Sequence, residues 1–380
     1  MVRRRRQRRL RKKKQNGRWF QSMPRPLRWA ALGGAAALVV GLAILLPHLW
    51  KKSDKPGLTP GAIIDSAKTA ITGSAADISY LQREAKIRYN AINEPYKYGN
   101  DIVFSATSGS ISYTRLVIYH TDTQESDTIP AKVRYNNLTG LVMNDRYIAY
   151  LDASSGGGGR VCVYDRETAE FRTIKEYAYA MPKLSLSGDY LAFLQQAGET
   201  TDRLYVCNLR TGETVTPKVF EGAVDASGGA HLNGTVLTYA VGYYEGDLLK
   251  SRVTTLDLSS GAEESYDWDR LVYSPMRSGK YIAFLSSASG APDDVYLSEN
   301  GAQPQWLASD VTNLRMGDGF LAYTKEDAVY AYVFETGKSY RMNTTVSKAL
   351  LASVCGRSVC WYDVTSYSDV DIVKYADMEW

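Results

Sequence analysis

Histidine is scarce in this chain: three in 380 residues, at His48, His120 and His231. Cysteine is almost as rare, at Cys162, Cys207, Cys355 and Cys360. No Cys-x-x-Cys pair and no histidine cluster accompanies them, which removes the common zinc frameworks. His231 has no evident partner in sequence and reads as a turn or surface histidine rather than a base. A Gly-x-Ser-x-Gly nucleophile elbow is also missing, so a serine-peptidase domain is not supported. Gly156-Gly157-Gly158-Gly159 leads into a strand pattern, not a helix, and reads as a loop rather than a phosphate cradle. Asp293-Asp294 and the Ser368–Asp371 stretch lack calcium-loop spacing and read as solvated turn carboxylates. Neither a cofactor nor a metal is expected.

Acidic residues are missing altogether from residues 1–28, which hold 13 of the 45 Lys and Arg. The rest of the chain therefore carries 32 bases against 41 acids, a net −9, so the overall +4 describes neither part. Residues 29–50 run from Trp29 to Trp50 through Ala, Leu, Gly, Val and Ile, broken only by Pro47 and His48. As a helix they would span about 30 Å, one hydrocarbon core. Tryptophan at each end and Lys51-Lys52 beyond suit the two interfaces. The basic excess predicts a cytoplasmic tail (1–28), a transmembrane helix in the plasma membrane (29–50), and the C-terminal bulk outside. Pro47-His48-Leu49-Trp50 suits signal cleavage poorly, so the segment reads as an uncleaved anchor. The tail sets topology and meets anionic lipid, and no nucleic-acid partner is expected.

What the sequence does contain is a phrase repeated seven times: aliphatic, small, aromatic. It stands at Ile102-Val103-Phe104, Ile148-Ala149-Tyr150, Leu191-Ala192-Phe193, Leu237-Thr238-Tyr239, Ile282-Ala283-Phe284, Leu321-Ala322-Tyr323 and Val359-Cys360-Trp361. The aromatics are 46, 43, 46, 45, 39 and 38 residues apart. Such a period marks a repeat architecture. A Thr/Ser-Gly turn closes a later strand in several repeats, as in Asn208–Gly212, Asp257–Gly261 and Val333–Gly337. A second turn precedes the phrase, at Ser187-Gly188, Asn233-Gly234, Ser278-Gly279, Asp318-Gly319 and Gly356, and reads as the junction between repeats.

About four short strands per unit match a propeller blade. We expect the phrase to be the innermost strand, its small residue fitting the taper and its neighbours packing on adjoining blades. Two strands from each terminus would form one composite blade and close the ring. The fold class is therefore all-β, a seven-bladed β-propeller over residues 84–380, with six blades as the fallback. Residues 51–83 form the linker or stalk, 61–83 including a short helix.

The aliphatic-Ala-aromatic phrase after Ser-Gly, with the Thr-Gly turn, resembles the extracytoplasmic β-propellers of the TolB-like and WD40-like group. The Gly-His and Trp-Asp pairs of WD40 repeats and the Pro-Asp-Gly turn of TolB repeats are replaced here by plain Ser-Gly or Asp-Gly. The resemblance implies architecture and an envelope location, and leaves the ligand open.

Two residues after the aromatics stand Asp152, Gln195, Lys325 and Asp363, which would line one channel mouth as a ligand-binding funnel. The loop with Tyr243, Tyr244, Glu245 and Asp247 is a second candidate surface. Cys355 and Cys360 are a candidate disulfide, while Cys360 also fits the small-residue column as a packed thiol. The expected role is a binding, scaffold or sensor module for a protein or cell-wall glycan, without chemistry. A glycan-active enzyme using Asp152 and Asp363, or a structural subunit of a membrane assembly, stays open.

Overall fold

Runs rich in Val, Ile, Tyr and Thr between Gly-, Asn- and Asp-containing turns build strands. The computed structural model describes residues 76–89, 91–107, 112–198, 201–221, 229–286, 294–365 and 371–378. The basic tail, the apolar segment 29–50 and the stalk up to residue 75 lie outside them. No helix among the described residues is long and apolar enough to cross a membrane.

The described residues form seven sheets, each built on four antiparallel strands. Blades 1 to 6 use successive strands of the chain. Their first strands are Ile92–Tyr98, Leu138–Met143, Leu184–Ser187, His231–Asn233, Tyr273–Ser278 and Val311–Gly317. Their second strands are Asp101–Thr107, Tyr147–Ala153, Tyr190–Gln196, Val236–Glu245, Tyr281–Ser286 and Phe320–Lys325. Blade 7 is composite. Ala349–Cys355, Ser358–Asp363 and Ile372–Asp377 come from the C-terminus, and Arg83–Ala85 closes its outer edge. The closure is thus three strands plus one, not two plus two, because Ile92–Tyr98 is already the first strand of blade 1. Ala76–Asp77 pairs in parallel with Lys338–Arg341 on the outer edge of blade 6. Residues 76–83, assigned by sequence to a helical stalk, therefore belong to the propeller. They contain a strand and the 3-10 turn Ser79–Leu81.

The phrase occupies the second strand of every blade, not the innermost. The first strands contact one another around the axis. They are short, and most are bulged, so no repeated sequence pattern reveals them. The Ser-Gly turns accordingly join first to second strand within one blade. Gly188, at φ +52°, makes the tight reversal between Ser187 and Tyr190.

Alternation along a strand explains why the phrase recurs. Residues i and i+2 share one face and i+1 takes the other. In each blade the aliphatic and aromatic residues face the preceding blade, and the small residue faces the following one. Ile102 and Phe104 pack with Cys360, Ile148 and Tyr150 with Val103, and Leu191 and Phe193 with Ala149. Leu237 and Tyr239 pack with Ala192, Leu321 and Tyr323 with Ala283, and Val359 and Trp361 with Ala322. A large side chain from one blade needs a small one beneath it where the blades converge. Phe104, Phe193, Phe284 and Trp361 are completely buried, each worth roughly 2–3 kcal/mol.

Candidate functional site

A cavity of about 390 Å³ lies on the axis, lined by all seven first-strand segments. The small residue of each phrase stands directly opposite Tyr96, Val142, Ser185, His231, Met276, Arg315 or Ser353, and all seven residues line it. Bulges shape the wall where the register shifts, at Glu94-Pro95, Gly140-Leu141 and Ser274-Pro275. Glu94, Gly140 and Ser274 all have positive φ there. The Glu94 carboxylate accepts a short hydrogen bond from the Gly140 backbone N–H, tying blade 1 to blade 2.

The wall is largely apolar, with Leu141, Leu184, Met276, Leu314 and Val354 among its residues. Into it come Arg315, Lys183 and His231, from blades 6, 3 and 4. Arg315 and Lys183 are exposed to solvent at the cavity wall, with the other first strands around them. Burial lowers the Arg315 pKa from its ordinary value, against the opposing pull of Tyr96 and Glu94. Burial and the Arg315 charge lower Lys183, and the same two causes take His231 down to about 4. His231 is therefore neutral near pH 7, and its Nδ1 accepts the Arg277 N–H at 3.4 Å. That bond assigns the remaining proton to Nε2. His231 is a cavity residue, not the turn histidine expected from sequence. Its isolation in the chain hid three neighbours supplied by other blades.

The four expected channel-mouth residues stand elsewhere. All lie on second strands, and none lines the cavity. Asp152 is fully buried. Its oxygens accept the backbone N–H groups of Arg134 (2.8 Å) and Tyr135 (2.9 Å), and it pairs with Arg160. Asp363 pairs with Lys374 at 2.7 Å and accepts the Thr365 N–H at 3.0 Å, contacts that hold its carboxyl below the ordinary range despite burial. Gln195 is buried, with Nε2 donating to Glu176 O at 3.5 Å. Lys325 ends its strand half-buried. Asp152 and Asp363 staple strands and loops together, and the four residues form no funnel.

The candidate disulfide is corrected as well. Cys355 and Cys360 are both free. Cys355 stands opposite Ser358 and Cys360 opposite Ser353. That places the two thiols diagonally in the hairpin, where Cα atoms are roughly 7–8 Å apart, too far for a bond. Cys360 is the packed small residue, and burial raises its thiol to about 12. Asp371, expected to be solvated, accepts the Ile92 N–H at 2.9 Å and pins blade 7 to blade 1. Among the described residues no metal-binding cluster of three or more ligands occurs.

The two faces of the ring differ. On one, every connection between strands has two to five residues. On the other, connections reach eight residues among the described ones, at 130–137, and the loop of blade 4 rides on two ten-residue strands, Val236–Glu245 and Leu248–Asp257. Tyr244 and Leu248 at its tip are about two-thirds exposed, while Tyr243 donates to Asp267 at 2.8 Å.

No family model matches this chain, and neither does any curated protein. Solved structures do. The β-propeller domain of the trilobed protease from Pyrococcus furiosus is 14% identical with a TM-score of 0.60, covering 76% of this chain and 95% of that one. An acylaminoacyl peptidase in complex with Z-Gly-Gly-Phe-chloromethyl ketone is 13% identical, with a TM-score of 0.57 over 78% of this chain. This chain spans about half the length of that peptidase, 52%. An oligogalacturonate lyase in complex with manganese is 12% identical, with a TM-score of 0.50 over 74% of this chain and 86% of that one. At such identities the likeness establishes one thing, that this chain folds as a seven-bladed β-propeller.

Proposed function

We propose that this chain is a single-pass membrane protein whose TolB-like or WD40-like propeller stands outside the cytoplasm as a binding module. Its partner is a protein or a cell-wall glycan of the envelope, and the long-loop face is the contact surface. Support for the anchor comes from the basic tail followed by the apolar segment 29–50. Support for binding comes from one observation above all: the long connections are gathered on a single face of a closed, rigid ring. The enzyme alternative is weaker, because Asp152 and Asp363 both spend their carboxylates on structural partners. The peptidases and the lyase among the similar structures lend only their fold.

In-cell crosslinking with mass spectrometry tests the proposal. Crosslinks to a partner are expected at Lys132 and Lys348, exposed on the long-loop face. Crosslinks confined to Lys280 and Lys338, on the tight-turn face, would overturn the surface assignment. Protease treatment of intact cells should release propeller fragments, and full protection would sink the topology.

A further inference from the structure

We infer that the axial cavity is a binding site for a small organic anion, one carboxylate or phosphate group on an apolar body, held by Arg315 and Lys183. The inference is independent of the loop-face partner. Arg315 and Lys183 come from blades 6 and 3, 132 positions apart in sequence, and the fold turns both toward one space. Arg315 depresses the proton affinity of Lys183 and of His231, which puts all three groups within electrostatic reach. Among the described residues, no carboxylate lies within ion-pairing distance of Arg315 or Lys183. Glu94 is the one acid among the lining residues and is engaged by the Gly140 N–H. The cavity therefore holds two cations against one carboxylate.

Holding two like charges against one mostly apolar wall is unfavourable without a counter-charge, as the lowering of Lys183 by Arg315 reflects. A bound anion removes that cost. Arg315 gives one N–H to Leu314 O at 2.9 Å and keeps the rest of its planar fork for an oxyanion. His231 contributes a neutral ring with its proton on Nε2, a donor that adds no further charge. At about 390 Å³, the space is at the small end of ligand sites, which run from roughly 300 to 1,000 Å³. The apolar side chains favour a ligand with a compact hydrocarbon or ring body over a free inorganic ion. A larger cleft on the tight-turn face carries nothing comparable. Its Arg146, Arg166 and Arg210 pair internally with Asp165, Asp101 and Asp189.

The full-length chain in mild detergent, titrated calorimetrically with benzoate, phenyl phosphate and neutral benzamide near pH 7, tests this. At least one anion is expected to bind and benzamide is not, and the stronger anion identifies the headgroup. Arg315→Gln and Lys183→Gln should each weaken that binding about tenfold or more. Arg315→Lys, which keeps the charge and loses the fork, should weaken it less. Melting temperatures of the ligand-free variants check that the ring is intact, with Lys183→Gln as the second arm if Arg315→Gln does not fold. Failure of both anions to bind, equal binding of benzamide, or indifference to both substitutions would overturn the inference. Partner crosslinking in the Arg315→Gln variant keeps the two proposals separable. A retained partner with lost anion binding supports two separate sites, whereas loop-face crosslinks in a wild-type protein that binds neither anion support the loop face alone.

Discussion

Lys97, in the first strand of the first blade, places its ammonium 2.7 Å from Asp377, in the third strand of the last, across 280 residues of sequence. The lysine is 1% exposed. Its Nζ also donates to Ser358 Oγ at 3.2 Å and Gly99 O at 2.5 Å, and it lies over the Tyr375 ring. Ser353 Oγ adds a bond to Pro95 O at 2.9 Å. Around this clasp, Ile102 and Phe104 cover Cys360. The ring is thus locked by a buried charge as well as by apolar packing.

Asp377→Ala leaves the Lys97 ammonium buried without a counter-ion. It should cost about 3 kcal/mol, the low end for a broken buried pair because Asp377 is partly exposed. Chemical denaturation measures it. A loss under about 0.5 kcal/mol would show that the clasp is incidental.

Cys360 should resist thiol reagents in the folded protein, along with buried Cys162 and Cys207. Intact-mass measurement without reductant should find no Cys355–Cys360 bond. Cys360→Leu should destabilise by about 1–3 kcal/mol, since Ile102 and Phe104 already fill the space above it. An unchanged midpoint would contradict the packing role.

Asp152→Ala removes the acceptor for two backbone N–H groups and the partner of Arg160. About 3 kcal/mol or more of stability should be lost. Hydrogen exchange should quicken at Arg134 and Tyr135 in particular, and unaltered exchange there would refute the stapling role.

His231 and His120 should respond to pH in opposite senses. The folded His231 pKa, about 4, lies below the unfolded value of about 6.5. The unfolded chain then holds more protons, so His231 contributes a loss of stability as pH falls from about 6.5 toward 4. For His120, burial pulls downward, but the bonds to Asp101 (2.6 Å) and Asp127 (3.3 Å) prevail and raise it. Its stabilisation is present below about pH 6.5 and lost as pH rises through the raised value. Melting curves of His231→Gln should be flatter than wild type between about pH 6.5 and 4.5, and those of His120→Gln flatter than wild type as pH rises above about 6.5. Unchanged slopes in those windows would refute both assignments.

Thr238 fills the small-residue column in blade 4, and its hydroxyl is buried with no hydrogen-bond partner. Thr238→Val should raise stability by about 1 kcal/mol by removing that unsatisfied group. A destabilised variant would show that the hydroxyl is satisfied in solution.

Repetition made the fold legible. The spacing of Phe104 through Trp361 counted the blades, because every inter-blade contact imposes the same demand for large over small. The column of Cys360 offered packing as one reading beside a disulfide, and the register of its hairpin decided for packing. Strand assignment was harder. First strands such as His231–Asn233 face their neighbours around the axis with whatever fits locally, so they share no phrase. Placing the phrase innermost moved the expected channel mouth outward by one strand, to Asp152, Gln195, Lys325 and Asp363.

The sequence by itself determined the all-β repeat and pointed through its seven phrases to a ring closed by both termini, since these are periodic and arise from local alternation, while the structure fixed seven blades over six. Only the tertiary structure decided the cavity and the clasp. Lys183, His231 and Arg315 share no motif or spacing, nor do Lys97 and Asp377. Ring closure brings together positions that no local pattern connects, and their chemistry exists only in that arrangement.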